Sequence, residues 1–112
     1  MKARRLDALL EASRDRDPRV RKVAVRELCP CVIKTNDVRA WDRVLELTRD
    51  SNRDVRRIAL HTIVDGSPRS RETEIVNALE AMRDDPDQKL RRQVRRTLAR
   101  HRATGRVNFG AH

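Results

Sequence analysis

The stretches DRDPRVRKVAVREL from Asp15, DSNRDVRRIALHTI from Asp50 and DPDQKLRRQVRRTL from Asp85 superimpose at a constant offset of 35 residues, without a gap. Self-similarity at a fixed period of roughly 20–50 residues marks units that bury their apolar faces on their neighbours, so this feature constrains the fold before any other. Asp15, Asp50 and Asp85 coincide, as do Asp17, Asn52 and Asp87, then Val20, Val55 and Leu90, then Arg21, Arg56 and Arg91. Upstream, the register continues through Leu6, Trp41 and Val76, and through Leu9, Val44 and Leu79.

Within each unit, apolar residues recur three or four positions apart, as at Leu6, Leu9 and Leu10, or Val20, Val23, Ala24 and Leu28. That is the helical period. Asp17 before Pro18 pairs an N-cap residue with proline at the first helical position, and Asn52 and Asp87 are the matching caps. Pro30 and the run Gly66, Ser67, Pro68 are stop signals. The spacing predicts six helices near residues 3–14, 18–29, 38–49, 53–64, 71–83 and 88–102. Trp41 and Phe109 are the only large aromatics, which suits helices packed through aliphatic side chains better than a barrel or sandwich.

The pattern DxDPxVRxxA at residues 15–24 resembles the HEAT repeat consensus, including its short form, the phycobilisome-lyase HEAT-like repeat. The resemblance covers about residues 3–102 as three units. It implies an all-α fold, a short right-handed α-solenoid of three helix pairs. It also implies a structural ladder in which Asp15, Asp50 and Asp85 pair with Arg21, Arg56 and Arg91, within or between repeats. Trp41, in the slot of Leu6 and Val76, is expected in the core.

The last unit departs from the first two. Val23 and Ile58 give way to Gln93, Val25 and Leu60 to Arg95, and Leu10 and Leu45 to Glu80. Polar residues at three formerly apolar positions are what a capping repeat needs. The first unit shows a fainter version, with Arg5 where Ala40 and Ile75 stand and Ala12 where Leu47 and Met82 stand. The expectation is one domain over residues 1–102, with repeats at about 3–35, 36–70 and 71–102, followed by a flexible tail at 103–112 in which Phe109 is the residue able to dock back.

The chain has 27 Lys and Arg against 17 Asp and Glu, a formal charge of +10, and most of the cations are arginine. Arginine suits carboxylate and phosphate recognition, and GC-rich codon usage produces the same bias. Exposed positions on the second helix of each pair form rows in a two-layer solenoid. One row is Lys22, Arg57 and Arg92, and the next is Arg26, His61 and Arg96, widening at Arg95, Arg100 and Arg102. Residues 88–112 carry eight Lys and Arg and no acid, which draws anionic partners toward that end.

Other chemistries find little support. Structural zinc needs four ligands, and Cys29 and Cys31 stand apart from His61, His101 and His112 in the repeat register. Cys29 reads as a small buried hydrophobe and Cys31 as a turn residue. No nucleophilic triad, glycine-rich phosphate loop or helical zinc pair is present. No apolar run approaches the roughly 20 residues of a membrane span. The sequence therefore points to a non-catalytic, cofactor-free, cytoplasmic and monomeric binding module. The expected partner is an acidic protein or peptide, with nonspecific binding to the nucleic-acid phosphate backbone as the alternative. The binding residues are Lys22, Arg26, Arg57, Arg92, Arg95, Arg96, Arg100 and Arg102.

Overall fold

The computed structural model describes residues 2–29, 37–65 and 69–107. Among them are six α-helices and no strand: α1 (Lys2–Ala12), α2 (Pro18–Glu27), α3 (Val38–Leu47), α4 (Arg53–Asp65), α5 (Glu72–Ala81) and α6 (Gln88–Thr104). A single 3-10 turn, Arg69–Arg71, leads into α5. The fold divides into two compact units, residues 1–62 and 63–112, with the division falling inside α4.

Local chemistry sets the helix starts. Asp17, Asp37 and Asp87 hold extended backbone, and their carboxylates accept the N–H of Arg19, Arg39 and Leu90 respectively, satisfying donors that the first helical turn leaves unpaired. Asn52 does the same before α4, its amide oxygen accepting from Asp54 N–H at 2.9 Å and Val55 N–H at 3.2 Å. Asp37 lies outside the three repeat-aligned caps, and the Asp that precedes the apolar-periodic Val38 was the signal for it.

Asp37 carries an additional load. The Arg39 guanidinium at 2.8 Å, followed by the Arg39 N–H, holds its carboxyl below the usual aspartate value. A depressed folded-state value means that the ionised form contributes stability above the unfolded value, about 3.9, and that this contribution is lost as pH falls through the folded one. Asp37→Asn, which keeps an acceptor at the cap and removes the charge, is expected to make stability fall less steeply below about pH 4. Urea unfolding at a series of acidic pH values measures this.

In the first unit, α1 packs on α2 and on α3. Leu6, Val25, Leu28, Ala40, Val44 and Leu47 are buried there, and Trp41 is a core residue, 6% exposed. Val20 and Val23, grouped by periodicity with the core, are 36% and 50% exposed. The reason is which flank of the helix is covered. On α4 both flanks are buried, at Ile58 and at Leu60; on α2 only the Val25 flank is, so Val23 and the adjoining Val20 face outward. On α6 the aligned flank residues are Gln93, half-buried, and Arg95, exposed.

In the second unit, α5 packs on α6 over Ile75, Leu79, Met82, Leu90, Val94 and Leu98. Helix α6 runs to Thr104, two residues past the expected end, and stops at Gly105 with φ 74°, its N–H donating to His101 O at 2.7 Å. A side chain is strained at that φ, which suits glycine to the position following a helix. The chain then turns back. Val107 is fully buried, and its N–H donates to Glu72 Oε1 at 2.6 Å. The expected flexible tail from residue 103 is thus corrected: residues 103–107 belong to the folded unit, anchored by one apolar side chain and one charge-assisted hydrogen bond. Phe109 lies outside the described residues. Val107→Ala removes two methyl groups from a closed site and is expected to destabilise the unit by about 1–2 kcal/mol, read from thermal unfolding.

Candidate functional site

The strongly repeated residues build turns. Asp15, Asp50 and Asp85 each accept the N–H two residues ahead, from Asp17 at 2.8 Å, Asn52 at 2.9 Å and Asp87 at 2.9 Å. Arg21, Arg56 and Arg91 each reach back six residues and donate Nη1–H to the carbonyl of that same aspartate, at 2.9, 2.9 and 2.8 Å. Inside a repeat, therefore, the guanidinium meets the backbone and the carboxylate meets an amide. The charge pair runs forward: Arg21 Nε and Nη2 donate to Asp50 Oδ1 at 2.9 Å and Oδ2 at 3.0 Å. Both side chains are nearly buried, 13% and 10% exposed, and the hydrogen bond to Asp50 raises the Arg21 value against the opposing effect of desolvation. The three arginines thus brace the turns, and the charge of Arg21 is engaged by Asp50.

Around this frame the candidate binding residues fall on the second helices. In the first unit, Lys22 is half-buried and Arg26, one turn on, is exposed along α2. Arg57, on α4, is exposed and stands 3.8 Å from Asp54. In the second unit, α6 presents Arg92, Arg96 and Arg100 at successive turns, with Arg102 beyond, all exposed. Among the described residues, Arg92, Arg96 and Arg102 make no ion pair or side-chain hydrogen bond.

Arg95 differs from the rest of the set. Its Nε donates to Arg83 O at 3.0 Å and its Nη2 to Asp84 Oδ1 at 2.9 Å. The repeat register explains the substitution: Ser13, aligned with Arg83, has its carbonyl satisfied by Arg43 Nη2 at 2.8 Å. In the last repeat, a residue of the second helix supplies that donor instead. Arg43 also donates Nε–H to Ser13 Oγ at 2.8 Å, and burial pulls its value below that of an ordinary arginine. Sequence reasoning missed this contact because Arg43 aligns with Ala8 and Ala78 and so has no repeat pattern to announce it.

The first-helix side of the first unit has a groove of about 270 Å³ lined by Leu10, Glu11, Arg14, Asp42, Arg43 and Glu46, together with Arg39. Its charges are mixed and balanced, three acidic side chains against three arginines. Cys29 is buried, as expected for a small hydrophobe, and Cys31 lies outside the described residues. Among the described residues no group of three or more His, Cys, Asp or Glu is placed to hold a metal ion, and no helix is long and apolar enough to cross a membrane.

Helix pairs recurring at 35 residues, each closed by the same aspartate–arginine turn, define an α-helical repeat protein of the solenoid class. The chain belongs to the HEAT repeat family, whose model, described as HEAT repeats, matches residues 6–99. HEAT repeats commonly mediate protein–protein interaction, and the family is generally a non-catalytic scaffold. Among curated proteins and among solved structures, no significant match is found.

Proposed function

We propose that this protein is a non-catalytic adaptor module that docks an acidic protein or peptide on the basic surface of its second helices. The observation that carries the reading is on α6: Arg92, Arg96 and Arg102 stand exposed, and unengaged among the described residues, on a helix without a single acidic residue. An exposed guanidinium is a planar fork that matches a carboxylate with two parallel hydrogen bonds. On α6 no aromatic side chain interleaves with these arginines, so a stacking platform for bases is missing, which favours carboxylates over single-stranded nucleic acid. Lys22 and Arg26 on α2 and Arg57 on α4 add cations of the same kind within the first unit.

The test is retention of poly-glutamate and of a short duplex DNA at low and at physiological salt, together with affinity capture from lysate with and without nuclease. An acidic-protein adaptor holds poly-glutamate at physiological salt and keeps its captured partners after nuclease treatment. Partners lost to nuclease, with duplex binding that falls steeply as salt rises, would replace this reading with phosphate-backbone binding.

A further inference from the structure

The second unit holds a recess of about 140 Å³ lined by Arg83, Arg95, Leu98 and Arg102. Three of the four are on one face of α6, since Arg95, Leu98 and Arg102 follow at helical spacing. Arg83 enters from the turn after α5, and its carbonyl is the one that Arg95 Nε caps at 3.0 Å. Leu98, 4% exposed, forms the apolar wall.

The charges in this recess are partly used. Arg95 is paired with Asp84 at 2.9 Å, and Arg83 stands 3.7 Å from Glu80. Arg102 has no such partner among the described residues. Three guanidiniums against two carboxylates leave one unit of positive charge at a concave site with an apolar wall.

We propose that this recess receives a single carboxylate side chain, a glutamate of the acidic partner, with Arg102 as its principal donor. The residual charge matches a monoanion better than a phosphate dianion, because the two resident carboxylates already repel a second negative charge. The wall suits the methylenes of a glutamate laid along Leu98, with the carboxylate turned to the Arg102 fork. Arg95 contributes field and shape; its own donors to Arg83 O and Asp84 fix where the recess opens. Arg83 is a turn residue that the rows of second-helix positions did not include, and its place in the recess follows from the capping contact with Arg95.

The inference rests on the adaptor reading for its choice of partner, and the experiment keeps the two separable. The probe is N-acetyl-glutamate N-methylamide, titrated against the full chain while the arginine Nε–H resonances are followed by NMR, with the glutamine analogue and inorganic phosphate as parallel arms. The expected result is saturable shifts at Arg83, Arg95 and Arg102 with the glutamate probe, larger than those at Arg26 and Arg92, and small with glutamine. Arg102→Gln, an exposed change that leaves the Arg95 contacts in place, is expected to weaken the probe by about tenfold. Shifts no larger than at Arg26 and Arg92, or unchanged binding in Arg102→Gln, would overturn the site. Tighter binding of phosphate than of the carboxylate would overturn the assignment of its ligand. If poly-glutamate is retained while the recess gives no selective shift, the subsite alone fails; if the recess binds the probe while poly-glutamate is not retained, the adaptor reading fails.

Discussion

Asp50→Ala is expected to destabilise the protein by about 3 kcal/mol. The change removes the partner of Arg21 from a pair in which both side chains are nearly buried, leaving a guanidinium with two donors facing protein instead of a carboxylate. It also removes the acceptor of the Asn52 N–H. Asp15→Ala is the matched control. Asp15 stands at the same repeat position, is exposed, and among the described residues its carboxylate accepts the Asp17 N–H alone, so about 1 kcal/mol or less is expected. Arg21→Leu combined with Asp50→Ala should recover part of the loss, because removing both charges relieves the stranded one. Urea unfolding of these three variants, of Arg21→Leu alone and of the parent measures the coupling; equal losses for Asp15→Ala and Asp50→Ala would show that the forward pair contributes nothing beyond the turn.

The second large effect is on binding. Reversing Arg92 and Arg96 to Glu is expected to lower poly-glutamate affinity by about ten- to a hundredfold at low salt, with the difference shrinking as salt rises. Both side chains are exposed, so the unfolding midpoint should hardly move. Arg14→Glu with Arg16→Glu changes the net charge equally at exposed positions outside the second helices. If the two double variants lose the same affinity, attraction to the whole +10 chain is responsible and the α6 surface has no special role.

Much of the fold was legible because its determinants are local. Apolar spacing and N-cap chemistry act within a few residues, and each expected helix is found within three residues at either end. Side-chain partners were less legible, because a sequence period equates positions whose surroundings differ. Val23 and Ile58 occupy one register position, yet one is half exposed and the other buried, since the flank of α2 that carries Val23 is uncovered. The direction of the ladder was open for the same reason: an aspartate once per repeat offers Arg21 a carboxylate in its own turn and another in the next, and only geometry selects Asp50. Arg95 was readable as a polar replacement on a flank, but its hold on Arg83 O depends on how the turn brings residues 83 and 95 together. Val107, a lone valine beyond a glycine, has no period to reveal it. For the proposed binding surface, the sequence supplied the cations of α6, and the structure added which of them have partners among the described residues.

The turn that closes each repeat spans seven residues, from the aspartate to the arginine six positions later, and the two hydrogen bonds that recur in all three copies lie within that span. The forward reach of Arg21 to Asp50 links one such turn to the next. Such a span behaves as a cassette: an insertion inside it breaks the reach of the arginine, whereas added length in the chain between α2 and α3 leaves it whole, at a loop-closure entropy that grows only slowly with length. Duplication of the gene segment would copy the joint together with the helices it joins, so each new repeat arrives with its own turn already complete.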